Sequence, residues 1–259
     1  MITVHAGDHL WAKFDSPAEF NTLTATFTHQ ALARDACVTV FPGQSGEESV
    51  PQWTEAFRRR WPELGLPLDD GRIRVADSRR VQLQPGRFDR DHLQRTYAAA
   101  ARAAVAEGFT GLWVSVDMSW ARDVDPAALR AFEADAHPLF ADGRLTALCQ
   151  YDTGIFPPGQ IAAAGRAHPC DAHSPTALRR LHDCAALRLT GETDLHNRAA
   201  FAALVESLGP DDHIDLSAMT FLDVAALTQL AHAVQRFPRL HVIATPRQRH
   251  LLELINGAE

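Results

Sequence analysis

Short apolar runs alternate with longer amphipathic ones along nearly the whole chain, and no other feature restricts its fold as strongly. "DHLWAKF", "CVTVF", "GLWVSVDMSW" and "RLTALCQYD" have strand character, and segments of helical periodicity separate them. The first helix carries its own start signal. Ser16 supplies an N-cap, Pro17 the first helical position and Glu19 a capping box, while Phe20, Leu23, Phe27 and Ala31 share one face. "PQWTEAFRRRWPEL", "FDRDHLQRTYAAAARAAVAEG" and "DPAALRAFEADAHPLF" read as further helices, the second closed by Gly108 and the third kinked or ended at Pro138. A short Ala-rich helix follows Pro157-Pro158. Strands joined through helices in this way imply βαβ units and a mostly parallel sheet, so the expected class is α/β.

The rhythm breaks at "HPCDAHSPTALRRLHDC". A chain of 259 residues suits two domains, and the break divides it into residues 1–170, a linker over 171–183 and a smaller α/β unit over 184–259. In that unit "ALRLTG", "DHIDLS" and "LHVIAT" read as strands, with helices starting near Asn197, Asp223 and Pro246. A net charge of -7 disfavours direct nucleic-acid binding. No apolar run approaches the length of a membrane span, and the N-terminus lacks a signal-peptide pattern. The expectation is a cytoplasmic protein with no membrane partner. Its four dispersed cysteines suit reduced thiols better than a disulfide framework.

"GDHLWAKFDSPAEF", "FDRDHLQRTY", "VDMSWARD" and "ALCQYDTGIFPP", in that order over roughly residues 1–170, resemble the MEDS family of bacterial sensory domains. The resemblance implies a RecA/KaiC-like core and a small-molecule sensing role in a bacterial regulator. The first strand-to-helix loop, Phe14-Asp15-Ser16-Pro17-Ala18-Glu19, lacks the glycines and the lysine that cradle phosphates, and its acidic residues repel them. Triphosphate binding is not expected there. Candidate ligand-binding residues gather near strand ends, where ligands of open α/β sheets usually lie. Among them His9 is a titratable donor, Trp120 and Tyr151 are walls, and Asp117 and Asp152 are acceptors. Cys149 is the sixth, placed by alternation on the face of Tyr151, with Gln150 opposite. A competing reading makes Cys149 a nucleophile assisted by His9 or Asp117. The leading expectation is a protein that is not an enzyme and carries no cofactor. Each of these residues also has a plain use in packing, turns or caps.

In the C-terminal unit, Leu189-Thr190-Gly191-Glu192-Thr193-Asp194 followed by a helix, then Asp215-Leu216-Ser217 and Phe221-Leu222-Asp223, resemble a STAS domain, the fold of anti-sigma-factor antagonists. The first strand usual in that family is not evident. The resemblance implies partner switching, in which a kinase phosphorylates a serine directly after the aspartate. Here that position is Val224, followed by Ala225 and Ala226, so no hydroxyl is present to accept phosphate. Ser217 and Thr220 lie nearby and suit turn or cap duties, while Asp223 suits the N-cap of the next helix, worth about 1 kcal/mol. The expected partners are therefore an unidentified small molecule and a protein such as an anti-sigma factor or regulatory kinase, and a homodimer is compatible. Cys170-x2-His173 and His182-x-Cys184 offer zinc-type ligands. The second pair lacks the spacing usual for zinc ligands, so a polar linker rather than a metal centre is expected.

Overall fold

The alternation of strands and helices is realised as two sheets. The computed structural model describes residues 2–43, 49–83, 86–174, 178–183 and 186–256. In chain order the first unit contains β1 (His9–Phe14), α1 (Pro17–Leu32), β2 (Cys37–Phe41), α2 (Val50–Arg60), α3 (Gly65–Asp69), β3 (Ile73–Val75), α4 (Ser78–Gln82) and α5 (Arg90–Ala106). It continues with β4 (Leu112–Asp117), α6 (Pro126–Asp135), β5 (Leu145–Asp152), α7 (Pro158–Ala167) and β6 (Cys170–Asp171). These six strands are all parallel, in the order β3-β2-β4-β5-β1-β6. The second unit holds β7 (Arg179–Asp183), β8 (Ala186–Thr193), α8 (Arg198–Glu206), β9 (His213–Leu222), α9 (Val224–Arg236), β10 (His241–Ile243) and α10 (Pro246–Asn256). Its sheet runs β10-β9-β8-β7, with β7 antiparallel to its neighbour.

Helices on both faces explain why the central strands are apolar without alternation. β4 is buried at every position and β5 at all but Asp152. On one face Leu10, Ala12 and Leu148 pack with Phe20 and Phe27 of α1; on the other, Val114, Val116 and Tyr151 pack with Leu93 of α5 and Ile161 and Ala164 of α7. Three buried polar groups on the first face bond one another: Gln150 Nε2 donates to Thr24 Oγ1 and to Ser115 Oγ, both at 3.0 Å. The first loop is occupied by its own cap. Ser16 Oγ accepts from Glu19 N at 3.3 Å, and Glu19 Oε2 accepts from Asp15 N at 3.0 Å.

The α/β class holds, and three local features differ from expectation. The first sheet ends only at Asp171, through pairing of Cys170 and Asp171 with Leu10 and Trp11. The segment expected as linker contributes β7, so the second unit does have a strand in front of β8. Finally, β9 does not stop at Ser217 but runs on to Leu222, with register shifts against β8 that absorb its irregular polar stretch. Ser217 and Thr220 therefore sit on a strand. Ser217 Oγ donates to Asp215 Oδ1 at 2.6 Å and Thr220 Oγ1 to the Gly191 carbonyl at 2.9 Å. Cys170 Sγ donates to the Leu178 carbonyl at 3.0 Å and His173 is exposed; Cys184 and the His182 side chain lie outside the described residues. Among the described residues no helix is long and apolar enough to cross a membrane.

Asp223 caps α9 as expected, its Oδ1 accepting from Ala226 N at 2.8 Å, while Oδ2 accepts from Arg198 Nη2 at 2.7 Å. Replacing it removes one helix cap and one partly shielded ion pair. Asp223→Ala is expected to lower the unfolding free energy by about 1–2 kcal/mol, whereas Val224→Ser, at an exposed position, changes it by less than about 0.5 kcal/mol. Urea unfolding of the two variants checks both values.

Candidate functional site

Parallel strands of one sheet turn the same residues to the same face, and that rule assembles the site. In the register His9↔Ala147 and Trp11↔Cys149, His9 and Cys149 come to lie on the face of β1 and β5 covered by α6 and α7. Helix α6 adds Glu133 from its core-facing side, where Phe132 and Glu133 are buried, as are Ala136 and His137 just beyond the helix. His168, at the end of α7, is the fourth group. The close approach of α7 to β1 is permitted by Gly165, whose Cα lies so near the Trp11 ring that an added Cβ would meet it at 2.7 Å.

The donor atoms of His9, Glu133, Cys149 and His168 lie within 4.8 Å of one another, and all four residues are buried. His9 Nε2 stands 3.2 Å and His168 Nε2 3.3 Å from Glu133 Oε2, and Cys149 Sγ stands 3.7 Å from His9 Nε2. Neither Glu133 Oε2 nor His168 Nε2 finds an aligned hydrogen-bond partner among the described residues. The outer contacts are better made. His168 Nδ1 lies 2.8 Å from the Ala164 carbonyl, which can only accept, so Nδ1 carries the hydrogen. Tyr151 Oη donates to Glu133 Oε1 at 3.0 Å, and the His9 ring stacks on Phe140 with centroids 4.4 Å apart.

These surroundings set the charges. Burial alone would raise the Glu133 carboxyl, but His168 and His9 outweigh it and hold the group below the usual carboxylate range. Burial, then the proximity of His168, lowers the His9 imidazole to about 4 despite Glu133. Burial, followed by the Glu133 charge, pushes the Cys149 thiol well above its ordinary value. The thiolate is the nucleophilic form, so this environment works against the reading of Cys149 as a nucleophile.

The six residues singled out from the sequence separate into two places. His9, Cys149 and Trp120 line one small internal void of about 30 Å³, and Tyr151 reaches the same cluster through Glu133. A space of that size admits water-sized occupants only. Asp117 and Asp152 lie instead at the ends of β4 and β5. Asp117 Oδ1 accepts from Ser119 N at 2.8 Å, capping the short 3-10 helix Met118–Ala121, and Asp152 Oδ1 accepts from Gly154 N at 2.7 Å. Glu133 and His168 escaped sequence reasoning. A carboxylate on the same helical row as Leu129, Phe132 and Ala136 was the signal for Glu133, whereas nothing local marks His168.

A separate and larger space opens between the two units. This cleft, of about 790 Å³, is bordered by Trp11 and Lys13 of β1, Ile161 and Arg166 of α7, His168, and the segment from Glu192 to Asn197. His168, a member of the buried cluster, thus also borders this cleft. Helix α8 of the second unit also packs against α6 and α7.

The first unit is thus a parallel α/β domain in which four polar donors converge beneath helices and whose first loop has no phosphate cradle. The family model MEDS, described as MEthanogen/methylotroph, DcmR Sensory domain, matches residues 8–169, and the chain belongs to this family of sensory domains. No curated protein matches the chain.

Two measurements probe the site. Tyr151→Phe leaves the buried Glu133 Oε1 without its donor and is expected to cost about 1–3 kcal/mol in thermal or urea unfolding. Asp117 behaves differently: burial foremost, with the Asp152 charge adding to it and the Ser119 contacts opposing, raises its carboxyl from 3.8 to about 6. A raised folded-state value means that the ionised form opposes folding, with no penalty below about pH 4 and the full penalty above about pH 6. Asp117→Asn is accordingly expected to be more stable than the parent chain by about 1–2 kcal/mol near pH 7.5, and equal to it near pH 4.

Proposed function

We propose that this protein is a bacterial regulator in which a small molecule, bound in the cleft between the units, alters the protein-binding surface of the C-terminal unit. The observation that carries this reading is the composition of the cleft wall. One side is the sensory domain at Trp11, Lys13 and His168, and the other is the Glu192–Asn197 segment. That segment is tied directly to the corner it would have to move: Asp223 N donates to the Thr193 carbonyl at 3.1 Å, and the neighbouring Arg198 pairs with Asp223.

A volume of about 790 Å³ suits a metabolite-sized ligand, and its lining offers charges of both signs, Lys13 and Arg166 with Asp171, Glu192 and Asp194. Leu195, Phe221 and Val224 are exposed around the Asp223 corner, which supports protein docking there, in keeping with the resemblance of this unit to STAS domains. An anti-sigma factor or a regulatory kinase is the kind of partner that resemblance suggests. Because Val224 and Ala225 carry no hydroxyl, the input at this corner is mechanical and comes from the cleft. Differential affinity of the ligand for two arrangements of the units supplies the coupling.

Native mass spectrometry of the full chain purified from its own host is expected to show a retained small molecule. Ala162→Trp, which fills the cleft from α7, abolishes retention without changing the far-ultraviolet circular dichroism. A chain that retains nothing, or retains its ligand equally well with Trp at 162, overturns the reading.

A further inference from the structure

The buried cluster is too small for an organic ligand, yet its four donors converge. We propose that His9, Glu133, Cys149 and His168 bind one divalent transition-metal ion, with zinc the preferred occupant, in a site closed by four protein ligands. This inference goes beyond the sensory reading and does not depend on the cleft.

Three of the six donor–donor edges match those of a tetrahedral zinc site. Zinc bonds of roughly 2.0–2.3 Å at tetrahedral angles place nitrogen–oxygen edges at about 3.3 Å and nitrogen–sulfur edges at about 3.6 Å. The observed edges are 3.2 and 3.3 Å for the two imidazoles to Glu133 Oε2, and 3.7 Å for His9 to Cys149. The remaining edges stay within 4.8 Å.

One proton cannot serve all four donor atoms at once. Nδ1–H of His168 is committed to the Ala164 carbonyl, so its Nε2 is the atom that faces the carboxylate oxygen, and neither Nε2 nor Glu133 Oε2 has an aligned partner among the described residues. A proton on one imidazole relieves one such contact along one line. A cation at the centre satisfies Nε2 of both histidines, Glu133 Oε2 and Cys149 Sγ together. Tyr151 on Glu133 Oε1 and the Ala164 carbonyl on His168 Nδ1 are then the outer hydrogen bonds that orient ligands.

The charges also balance. Binding displaces the Cys149 thiol proton to solvent, forming the sulfur–metal bond, so that thiolate and carboxylate together cancel the two positive charges of the ion. With both imidazoles neutral the buried site carries no net charge, which removes the main cost of placing an ion in a protein interior. Two imidazoles, a thiolate and a carboxylate are ligand types that zinc accepts, and four protein ligands mark a closed rather than a catalytic centre.

The test is a cobalt(II) titration of the full chain after chelator treatment, followed by displacement with zinc. The expected result is one equivalent bound, with a thiolate-to-cobalt charge-transfer absorption that zinc abolishes. Cys149→Ser loses that absorption, His168→Gln weakens zinc binding at least about tenfold, and Cys170→Ser retains both the equivalent and the band. A folded parent chain that binds less than one equivalent at micromolar cobalt overturns the proposal without recourse to any variant. So does a charge-transfer band that survives in Cys149→Ser or disappears in Cys170→Ser.

Discussion

An ionised carboxylate fully inside a protein has to be answered by its surroundings, and Glu133 is such a group. Its position on the core-facing row of α6 brings a charge into a layer otherwise filled by Phe132, Ala136 and Phe140. Two imidazoles, a thiol and a phenol converge on it from β1, β5 and the end of α7. An isolated charge there would cost many kcal/mol; the cluster is the compensation. Its members are far apart in sequence, so the compensation exists only when β1, β5, α6 and α7 are in register, and the polar centre specifies the tertiary arrangement on that side of the sheet.

Much of the scaffold was legible in the sequence because its signals are local. Ser16 and Pro17 announce α1, Asp223 announces α9, and the apolar run through β4 and β5 announces strands covered on both sides. The shortest elements escaped: β3 and β6 have three and two residues, and strands of that length exist only through their neighbours. β7 was hidden for another reason. Its sequence, Arg179-Arg180-Leu181-His182-Asp183, is too polar for a buried strand and becomes one by pairing at a sheet edge. The cluster was half legible. Alternation places Cys149 and Tyr151 on one face, but that Glu133 and His168 meet them follows from the helix packing, which no spacing reveals.

The two units are joined by more than the chain. Helix α8 rests on the same helices that carry Glu133 and lead to His168, and its first residue, Arg198, holds the carboxylate that caps α9. A displacement of α6 or α7 by a fraction of a helical turn would therefore reach the α9 corner through packed elements with few flexible steps between. Coupling of this kind needs no charge at Val224, and a valine there keeps the corner apolar.

The ends of the sheets have a consequence for how copies of the chain meet. The six-stranded sheet terminates in β3 on one side and β6 on the other, and the smaller sheet in the five-residue β7 and in β10, again three residues long. A strand offers few unpaired backbone groups when it is this short, so a neighbouring molecule has little template to continue. Three of the four borders blunt ribbon-like growth in this way, which leaves β7 as the longest strand edge.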